Sequence, residues 1–141
     1  SNAAVDRGVL NKVARLALEG AKLQVYGHGR YMRDYIYITD VAQAFLAAGV
    51  SELTIGNPYN IGSGCGVTIQ EAFSLVAEQA ARITEEKVSI ENVPWPEGTD
   101  PIEYRNFIAD INAINAAAGW SPLVSFEQGV SKMVLNFSHN E

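Results

Sequence analysis

The sequence is short of the residues that build disulfides and metal sites. Its 141 residues include one cysteine, Cys65, and two histidines, His28 and His139. A single cysteine excludes an internal disulfide, and no cluster of Cys and His has the spacing of metal ligands. We therefore expect no metal, and a chain suited to a reducing compartment such as the cytoplasm.

Positive charge and long apolar runs are also scarce. Ten Lys and Arg stand against 16 Asp and Glu, so the net charge is -6. This excess argues against nucleic acid or an anionic membrane as partner, because either needs a positive face. No apolar run approaches the ~18 residues that span a bilayer, and no signal peptide is recognisable. A soluble protein is expected.

The composition, with 48% hydrophobic and 18% charged residues, is that of one globular domain. Ser1, Asn2 and Ala3 are interpreted as the remnant of a tag, which leaves residues 4–141 as the domain. Helical spacing begins at once, from about Val5 to Glu19, and Gly20 ends that helix. Because no strand precedes it, we expect that native sequence was removed upstream.

The remaining pattern predicts an α/β fold, a small mixed domain of about five helices with short strands. Further helices are predicted to begin at Asp40, Thr68, Asp110 and Ser125, and short strands or extended pieces at 23–26, 35–38, 59–62, 88–93 and 107–109. Capping boxes are predicted for the pairs Asp40 with Gln43, Thr68 with Glu71, and Ser125 with Gln128. The second helix is expected to bury Val41, Ala44, Phe45 and Ala48.

The segment 26–35 combines glycines, aromatic residues and arginine in a turn. Glycine lets a backbone approach a ligand closely, an aromatic ring can cover a base, and the forked donors of Arg33 fit a phosphate. The alternative is a hairpin-like turn in which Arg33 pairs with Asp34 or another surface carboxylate. Composition alone favours that alternative.

A second segment, 59–66, predicts a strand, a glycine-rich turn and a helix start. Free backbone N–H groups in such a turn can bind an anion. The turn lacks the Lys of a nucleotide-hydrolase phosphate loop, and Thr68 already explains the helix start as a cap, so local structure is favoured over a phosphate cradle. Cys65 is interpreted as an incidental thiol. In the third segment, 101–110, Arg105 is interpreted from composition as facing solvent.

In this order the segments resemble a known family. The stretch from Tyr26 to Val41, with its Tyr-Gly-His-Gly turn and Arg33-Asp34 pair, is similar to a stretch of the extended short-chain dehydrogenase/reductases. The resemblance continues through Tyr59-Asn60-Ile61-Gly62, Ala109-Asp110-Ile111, Gly119-Trp120-Ser121-Pro122 and Phe126-Glu127-Gln128-Gly129. It identifies the chain as the C-terminal lobe of an extended Rossmann-type enzyme, from the nucleotide-sugar epimerases and dehydratases.

The resemblance implies a division of labour between two domains. These enzymes oxidise C4 of a nucleoside-diphosphate sugar with NAD, which an N-terminal Rossmann domain holds together with a Tyr-x-x-x-Lys pair. Their smaller C-terminal domain grips the nucleotide. No Tyr here is followed four residues later by Lys. The resemblance therefore implies no catalytic and no cofactor-binding residue in this chain, no activity of the chain alone, and a homodimeric parent.

It also implies roles for five residues. Arg33 would bind the diphosphate or the adjoining ribose, Asn60 would hydrogen-bond nearby, and Gln24 and Tyr26 would line the base. Arg105 would be a second diphosphate-binding residue, although its segment departs from the commoner Arg-x-Gly-Asp form. Two alternatives stay open: a stand-alone nucleotide-sugar binding module without catalysis, and a parent that works as a reductase or lyase on another substrate.

Overall fold

The computed structural model describes residues 8–140, which form two compact units. Unit one comprises residues 8–31, 68–104 and 130–140, and unit two comprises 32–67 and 105–129. Within residues 8–140 the elements are α1 (Val9–Leu18), β1 (Leu23–Tyr26), β2 (Met32–Arg33), α2 (Ile38–Val50), β3 (Val67–Thr68), α3 (Ile69–Thr84), β4 (Ile90–Val93), α4 (Asn112–Ala118) and α5 (Phe126–His139), with 3-10 turns at Glu52–Thr54 and Pro101–Tyr104. The predicted class, mixed α/β with five helices and short strands, is confirmed. The predicted tag remnant and helix start at Val5 lie outside the described residues.

In unit one, two helices cover a two-stranded parallel sheet. Strand β1 pairs with β4 so that Leu23 faces Ile90 and Tyr26 faces Val93. Helices α1 and α3 pack on each other and on β1. The buried side chains that form this core include Leu10, Val13, Ala14, Ala17, Leu23, Val25, Phe73, Val76, Ala80 and Val134.

The ends of both helices follow from local chemistry. Gly20, at φ 77°, lies in the left-handed region that glycine adopts at no steric cost, and it ends α1 as predicted. At the start of α3, the Thr68 hydroxyl accepts from the Glu71 N–H at 3.1 Å, and the Glu71 carboxylate accepts from the Thr68 N–H at 2.9 Å. This confirms the predicted capping box.

Unit two is built around a small core of Ala44, Ile114 and Trp120. The side chains packed against that core come from both helices and from extended segments: Ile36, Ala47, Tyr59, Ile61, Ile111 and Ala118. Gly119, at φ 67°, ends α4 as the sequence predicts. The Ser125 and Gln128 pair forms its predicted capping box through two hydrogen bonds of 3.1 Å.

The predicted cap of α2 is wrong. Tyr37, not Asp40, is the N-cap residue, and Asp40 lies inside the first turn with 2% of its surface exposed. Its carboxylate accepts hydrogen bonds from the backbone N–H groups of Leu123 and Val124, both at 2.9 Å. The Asp40 carboxylate is therefore bonded to donors that are distant in sequence, although local spacing predicts that it caps α2.

Four other local predictions are also corrected. Within residues 8–140 the segment 35–37 joins no sheet, and Ile38 is already helical. The predicted strands at 59–62 and 107–109 take no part in a sheet within residues 8–140. Phe45, predicted to be buried, is 67% exposed.

Candidate functional site

Arg33, at the end of β2, is held by the backbone of unit two. Its Nη1 donates to the carbonyl of Met32 at 3.0 Å and to the carbonyl of Arg105. The residue is half-buried. Because backbone oxygens fix its position, the guanidinium is oriented before any ligand arrives. The structure thus connects two of the predicted site residues, Arg33 through its side chain and Arg105 through its carbonyl.

Asp34, which the sequence analysis considered only as a pairing partner, is a hydrogen-bond acceptor for two distant segments. Its Oδ1 accepts from the Ser63 N–H at 2.8 Å and from the Ser63 hydroxyl at 2.6 Å. Its Oδ2 accepts from the N–H groups of Gly64 at 3.0 Å and Ala109 at 3.1 Å. The carboxylate therefore ties the glycine-rich turn to the segment that follows Arg105.

Close packing accompanies these bonds at Gly62. A Cβ atom there would overlap the side chain of Ala109 and would lie 2.9 Å from Oδ2 of Asp34. Any larger residue must displace one of them. A bound phosphate would need the N–H groups of Ser63 and Gly64, and both already donate to the Asp34 carboxylate. The favoured interpretation of this turn as local structure agrees with that geometry.

The other predicted residues of unit two are Asn60 and Arg105, and both side chains are exposed. Asn60 lies between the half-buried Tyr59 and Ile61, so it points away from the core. Its side chain makes no hydrogen bond within residues 8–140. The Arg105 side chain has no ion-pair partner in the same range.

Gln24 and Tyr26 belong to unit one, on the outer face of β1. The alternation of β1 buries Leu23 and Val25 and leaves these two residues outside. The Gln24 amide donates to the Glu91 carboxylate at 3.3 Å, and Lys22 donates to the same carboxylate at 3.1 Å. The hydrogen bonds from Lys22 and then Gln24 hold the pKa of Glu91 below its ordinary value. The Gln24 amide is thus already hydrogen-bonded to the neighbouring Glu91 side chain.

Tyr26 begins a row of aromatic rings that the sequence analysis missed. Successive ring centroids are 5.5 Å apart for Tyr26 and Trp95, 5.0 Å for Trp95 and Tyr104, 6.3 Å for Tyr104 and Tyr31, and 4.6 Å for Tyr31 and His28. A Cβ on Gly27 would overlap the Trp95 indole nitrogen. The row depends on the parallel pairing of β1 with β4, which brings the residue after β1 close to the residues after β4.

Tyr35 is a titratable residue of unit two, and the pKa of its phenol is shifted. Its ring stacks on Phe126 with centroids 5.6 Å apart. Burial raises the pKa of the Tyr35 phenol above its ordinary value, and the charge of Arg33 offsets part of that rise. The phenol is therefore held in its neutral form beside the guanidinium.

Within residues 8–140, no group of three or more His, Cys, Asp or Glu side chains could hold a metal ion. No helix in this range has the length and apolar character required to cross a bilayer.

Sequence comparison shows that the chain is similar to parts of nucleotide-sugar enzymes. Residues 1–133 match the family described as GDP-mannose 4,6 dehydratase. A UDP-N-acetyl-alpha-D-glucosaminuronate decarboxylase of Bacillus cytotoxicus is 33% identical over an alignment of 138 residues, which covers 95% of this chain and 41% of that protein. A dTDP-glucose 4,6-dehydratase of Salmonella typhimurium is 33% identical over 84% of this chain and 32% of its own length. The chain thus spans 41% and 32% of the lengths of these two relatives.

Solved structures of an epimerase and a dehydratase are also similar to this chain. UDP-glucose 4-epimerase of Thermotoga maritima, solved with UDP-glucose, is 30% identical and matches 94% of this chain and 40% of its own, with a TM-score of 0.76. dTDP-glucose 4,6-dehydratase of Bacillus anthracis, solved with NAD, is 28% identical with a TM-score of 0.76. The chain therefore belongs to the GDP-mannose 4,6 dehydratase family, among the extended short-chain dehydrogenase/reductases, and matches the C-terminal lobe of their epimerases and dehydratases.

Proposed function

We propose that this chain is the substrate-binding part of an NAD-dependent nucleotide-sugar epimerase or dehydratase, and that it grips a nucleoside diphosphate. The observation that carries the proposal is the fixed guanidinium of Arg33. A forked guanidinium matches phosphate oxygens directionally, and a group already held by backbone carbonyls loses little freedom on binding. Relatives named for UDP-, dTDP- and GDP-sugars share a diphosphate, which is the chemistry that Arg33 suits.

In unit two, Arg33 binds the diphosphate, and Asn60 and Arg105 contribute from exposed positions. Arg105 has its side chain in solvent while its carbonyl holds Arg33. Its contribution is therefore separable, since a substitution at Arg105 keeps the carbonyl. In unit one, Gln24 and Tyr26 are proposed to line the base, and the neighbouring rings of Trp95 and Tyr104 supply the stacking surface that a base favours.

NAD is proposed for the parent protein and not for these residues. The glycine-rich turn at 62–66 does not fit a dinucleotide phosphate, because Asp34 occupies its N–H groups with a carboxylate of the same charge sign. No Tyr-x-x-x-Lys pair is present to move a proton. The chain thus binds and orients substrate, while hydride and proton transfer belong to the cofactor domain. The native assembly is proposed as a cytoplasmic homodimer.

The test is a thermal-shift titration with UDP, dTDP, GDP and CDP, and with the matching nucleosides. We expect stabilisation by at least one diphosphate and none by its nucleoside. Arg33→Lys keeps the charge but loses the fork, so the shift should fall strongly. Arg105→Ala should reduce it in part, and Arg30→Ala, an exposed arginine in unit one, is the matched control.

Two results would contradict the proposal. An Arg33→Lys variant that folds and keeps the full diphosphate shift would remove Arg33 from the site. Tight NAD binding to this chain in a calorimeter would contradict the division between substrate and cofactor domains. The native reading frame decides between enzyme and stand-alone module, since only the enzyme requires a Rossmann-type sequence upstream.

A further inference from the structure

Strand β1 presents its exposed residues on one face of the sheet in unit one. These residues are Gln24 and Tyr26, and their partners in register on β4 are Glu91 and Val93. Partners in neighbouring strands point to the same face of a sheet, so the four side chains share one surface. We call this surface the outer face. Both β1 residues are exposed, which gives a ligand access to it.

The ring of Tyr26 on the outer face is widened by the indole of Trp95. The two centroids are 5.5 Å apart and the ring planes differ by 32°, so the rings form one shallow surface. Tyr104 meets the indole edge-on at 70° with centroids 5.0 Å apart, and a Cβ on Gly27 would overlap the indole nitrogen. Contacts on two sides therefore hold Trp95 in place. A surface of two rings suits a purine, whose fused rings gain more stacking contact than a pyrimidine does.

The same face carries a forked acceptor, the carboxylate of Glu91. Its Oε2 accepts from the Lys22 ammonium group at 3.1 Å, and its Oε1 accepts from the Gln24 amide at 3.3 Å. These bonds hold the pKa of Glu91 below its ordinary value, so the group is ionised at neutral pH. A carboxylate oxygen accepts more than one hydrogen bond. Glu91 is therefore oriented by its neighbours and still able to accept from a ligand.

The carboxylate selects among the nucleobases by the donors on their pairing edges. Guanine carries N1–H and the N2 amino group side by side, and these match the paired oxygens of a carboxylate. Uracil and thymine place a carbonyl oxygen on each side of their N3–H, so a facing carboxylate would meet acceptors. Cytosine and adenine place a ring-nitrogen acceptor beside their amino group. Of these bases, guanine alone offers two adjacent donors.

We infer that the base held on the outer face is guanine, which makes the substrate a guanosine-diphosphate sugar. Its rings stack on Tyr26 and Trp95, and its N1–H and N2–H groups donate to Glu91. The second N–H of the Gln24 amide donates to its O6. This inference rests on the proposed function, which assigns the base to Gln24 and Tyr26. Glu91 and Trp95 carry the choice, since the related enzymes are named for UDP-, dTDP- and GDP-sugars alike.

Rejection of the other bases also contributes to this choice. A uracil or thymine stacked on Tyr26 would bring a carbonyl oxygen toward Glu91 and displace water from the carboxylate without replacing its hydrogen bonds. An acceptor left without a donor costs more than a formed hydrogen bond gains. The Glu91 side chain is 41% exposed, so we expect the discrimination of a single bidentate contact, about tenfold or more.

The experiment is calorimetric titration of this chain with GDP, IDP, ADP, UDP, dTDP and CDP. We expect GDP to bind at least about tenfold more tightly than UDP, dTDP or CDP. IDP lacks the 2-amino group and so loses one of the two donors, whereas ADP keeps the purine rings and loses the donor pair. Both should therefore bind more weakly than GDP, which separates the contact with Glu91 from stacking.

Glu91→Gln keeps the size of the side chain and replaces one acceptor by a donor. It should weaken GDP binding by about tenfold or more. It should also strengthen the binding of xanthosine diphosphate, because xanthine has a carbonyl oxygen where guanine has its amino group. Glu78→Gln is the matched control, since Glu78 is also a surface carboxylate of unit one and accepts from a cation, Arg82, at 2.7 Å. It should change neither affinity.

Three results would overturn the inference: UDP, dTDP or CDP bound as tightly as GDP, IDP bound as tightly as GDP, or a GDP preference that survives Glu91→Gln. A chain that binds a different diphosphate best, and loses it in Arg33→Lys, keeps the proposed function and contradicts only the choice of guanine. A GDP preference that disappears in Glu91→Gln while Arg33→Lys binds normally contradicts only the role of Arg33. A chain that binds none of the diphosphates contradicts both.

Discussion

The carboxylate of Asp34 accepts a hydrogen bond from the backbone N–H of Ala109, a residue 75 positions later in the chain. The same carboxylate accepts from Ser63 and Gly64. Three segments of unit two therefore share one anion, and Arg33 precedes that anion by one residue. The position of Arg33, the proposed diphosphate-binding residue, depends on this carboxylate, so Asp34 is the first residue to test.

Asp34→Asn replaces one acceptor oxygen by a donor that faces backbone N–H groups. We expect a loss of about 2 kcal/mol or more in the free energy of unfolding, because the donors that converge on the carboxylate lose an acceptor. Urea denaturation measures it. Asp110→Asn is the control, since Asp110 is exposed and accepts a single 3.0 Å bond from Asn112. If both variants lose equally little, the carboxylate does not hold unit two together.

Gly62→Ala tests the close packing beside that carboxylate. The new methyl group would overlap Ala109, so we expect destabilisation by about 1–3 kcal/mol. Gly49→Ala is the matched control. Gly49 lies within α2 with no atom near its Cβ position, and alanine there should stabilise by about 0.5–1 kcal/mol. Denaturant midpoints for the two variants should shift in opposite directions, and a shift in the same direction would contradict the packing described.

Asp40→Ala tests the contact between α2 and the chain that precedes α5. The change leaves the N–H groups of Leu123 and Val124 without their acceptor, so we expect a cost of about 1–3 kcal/mol. Hydrogen exchange at the amides of these two residues should accelerate more than exchange at the amides of α4. Thr39→Ala, an exposed neighbour, should leave their exchange unchanged. Unchanged protection in Asp40→Ala would show that other contacts hold the segment.

The raised pKa of Tyr35 predicts a dependence of stability on alkaline pH. The folded state keeps the phenolic proton to a higher pH than the unfolded state, whose tyrosine titrates near pH 10. The contribution of Tyr35 is therefore fully present below the unfolded pKa, and it is lost as pH rises through the folded pKa. Tyr35→Phe should show a shallower decline in urea midpoint above about pH 10 than the parent chain. Parallel declines would refute the assignment.

Local sequence signals predicted the parts of the fold that are held by local chemistry. The Thr68 and Glu71 box, the Ser125 and Gln128 box, and the glycine at the end of α1 all depend on neighbours within a turn. Asp40 shows the limit. Its spacing to Gln43 is that of a cap, but its donors are 83 and 84 residues away, and no local pattern contains them.

The residues of the candidate site also fall into those that the sequence predicted and those that it did not. Arg33 was identified by residue type and resemblance, and the structure adds that backbone carbonyls hold it. Asp34 was missed as an organiser, because four donors converge on it only after the chain has folded. The row from Tyr26 to Tyr104 was missed because it requires the parallel register of β1 and β4, which the sequence does not specify. Burial of Phe45 was predicted from its helical spacing, which cannot tell whether the chain itself supplies the cover.

The internal carboxylate in the glycine-rich turn has a consequence for how this site can be altered. A truncation such as Asp34→Ala would leave the turn with its donors aimed at a space the size of a small anion. We expect added formate, which has the size of the missing carboxylate, to occupy that space and restore part of the lost stability. Chloride, which lacks paired oxygens, should restore less, so the ion that rescues the variant would report the anion shape that these donors accept.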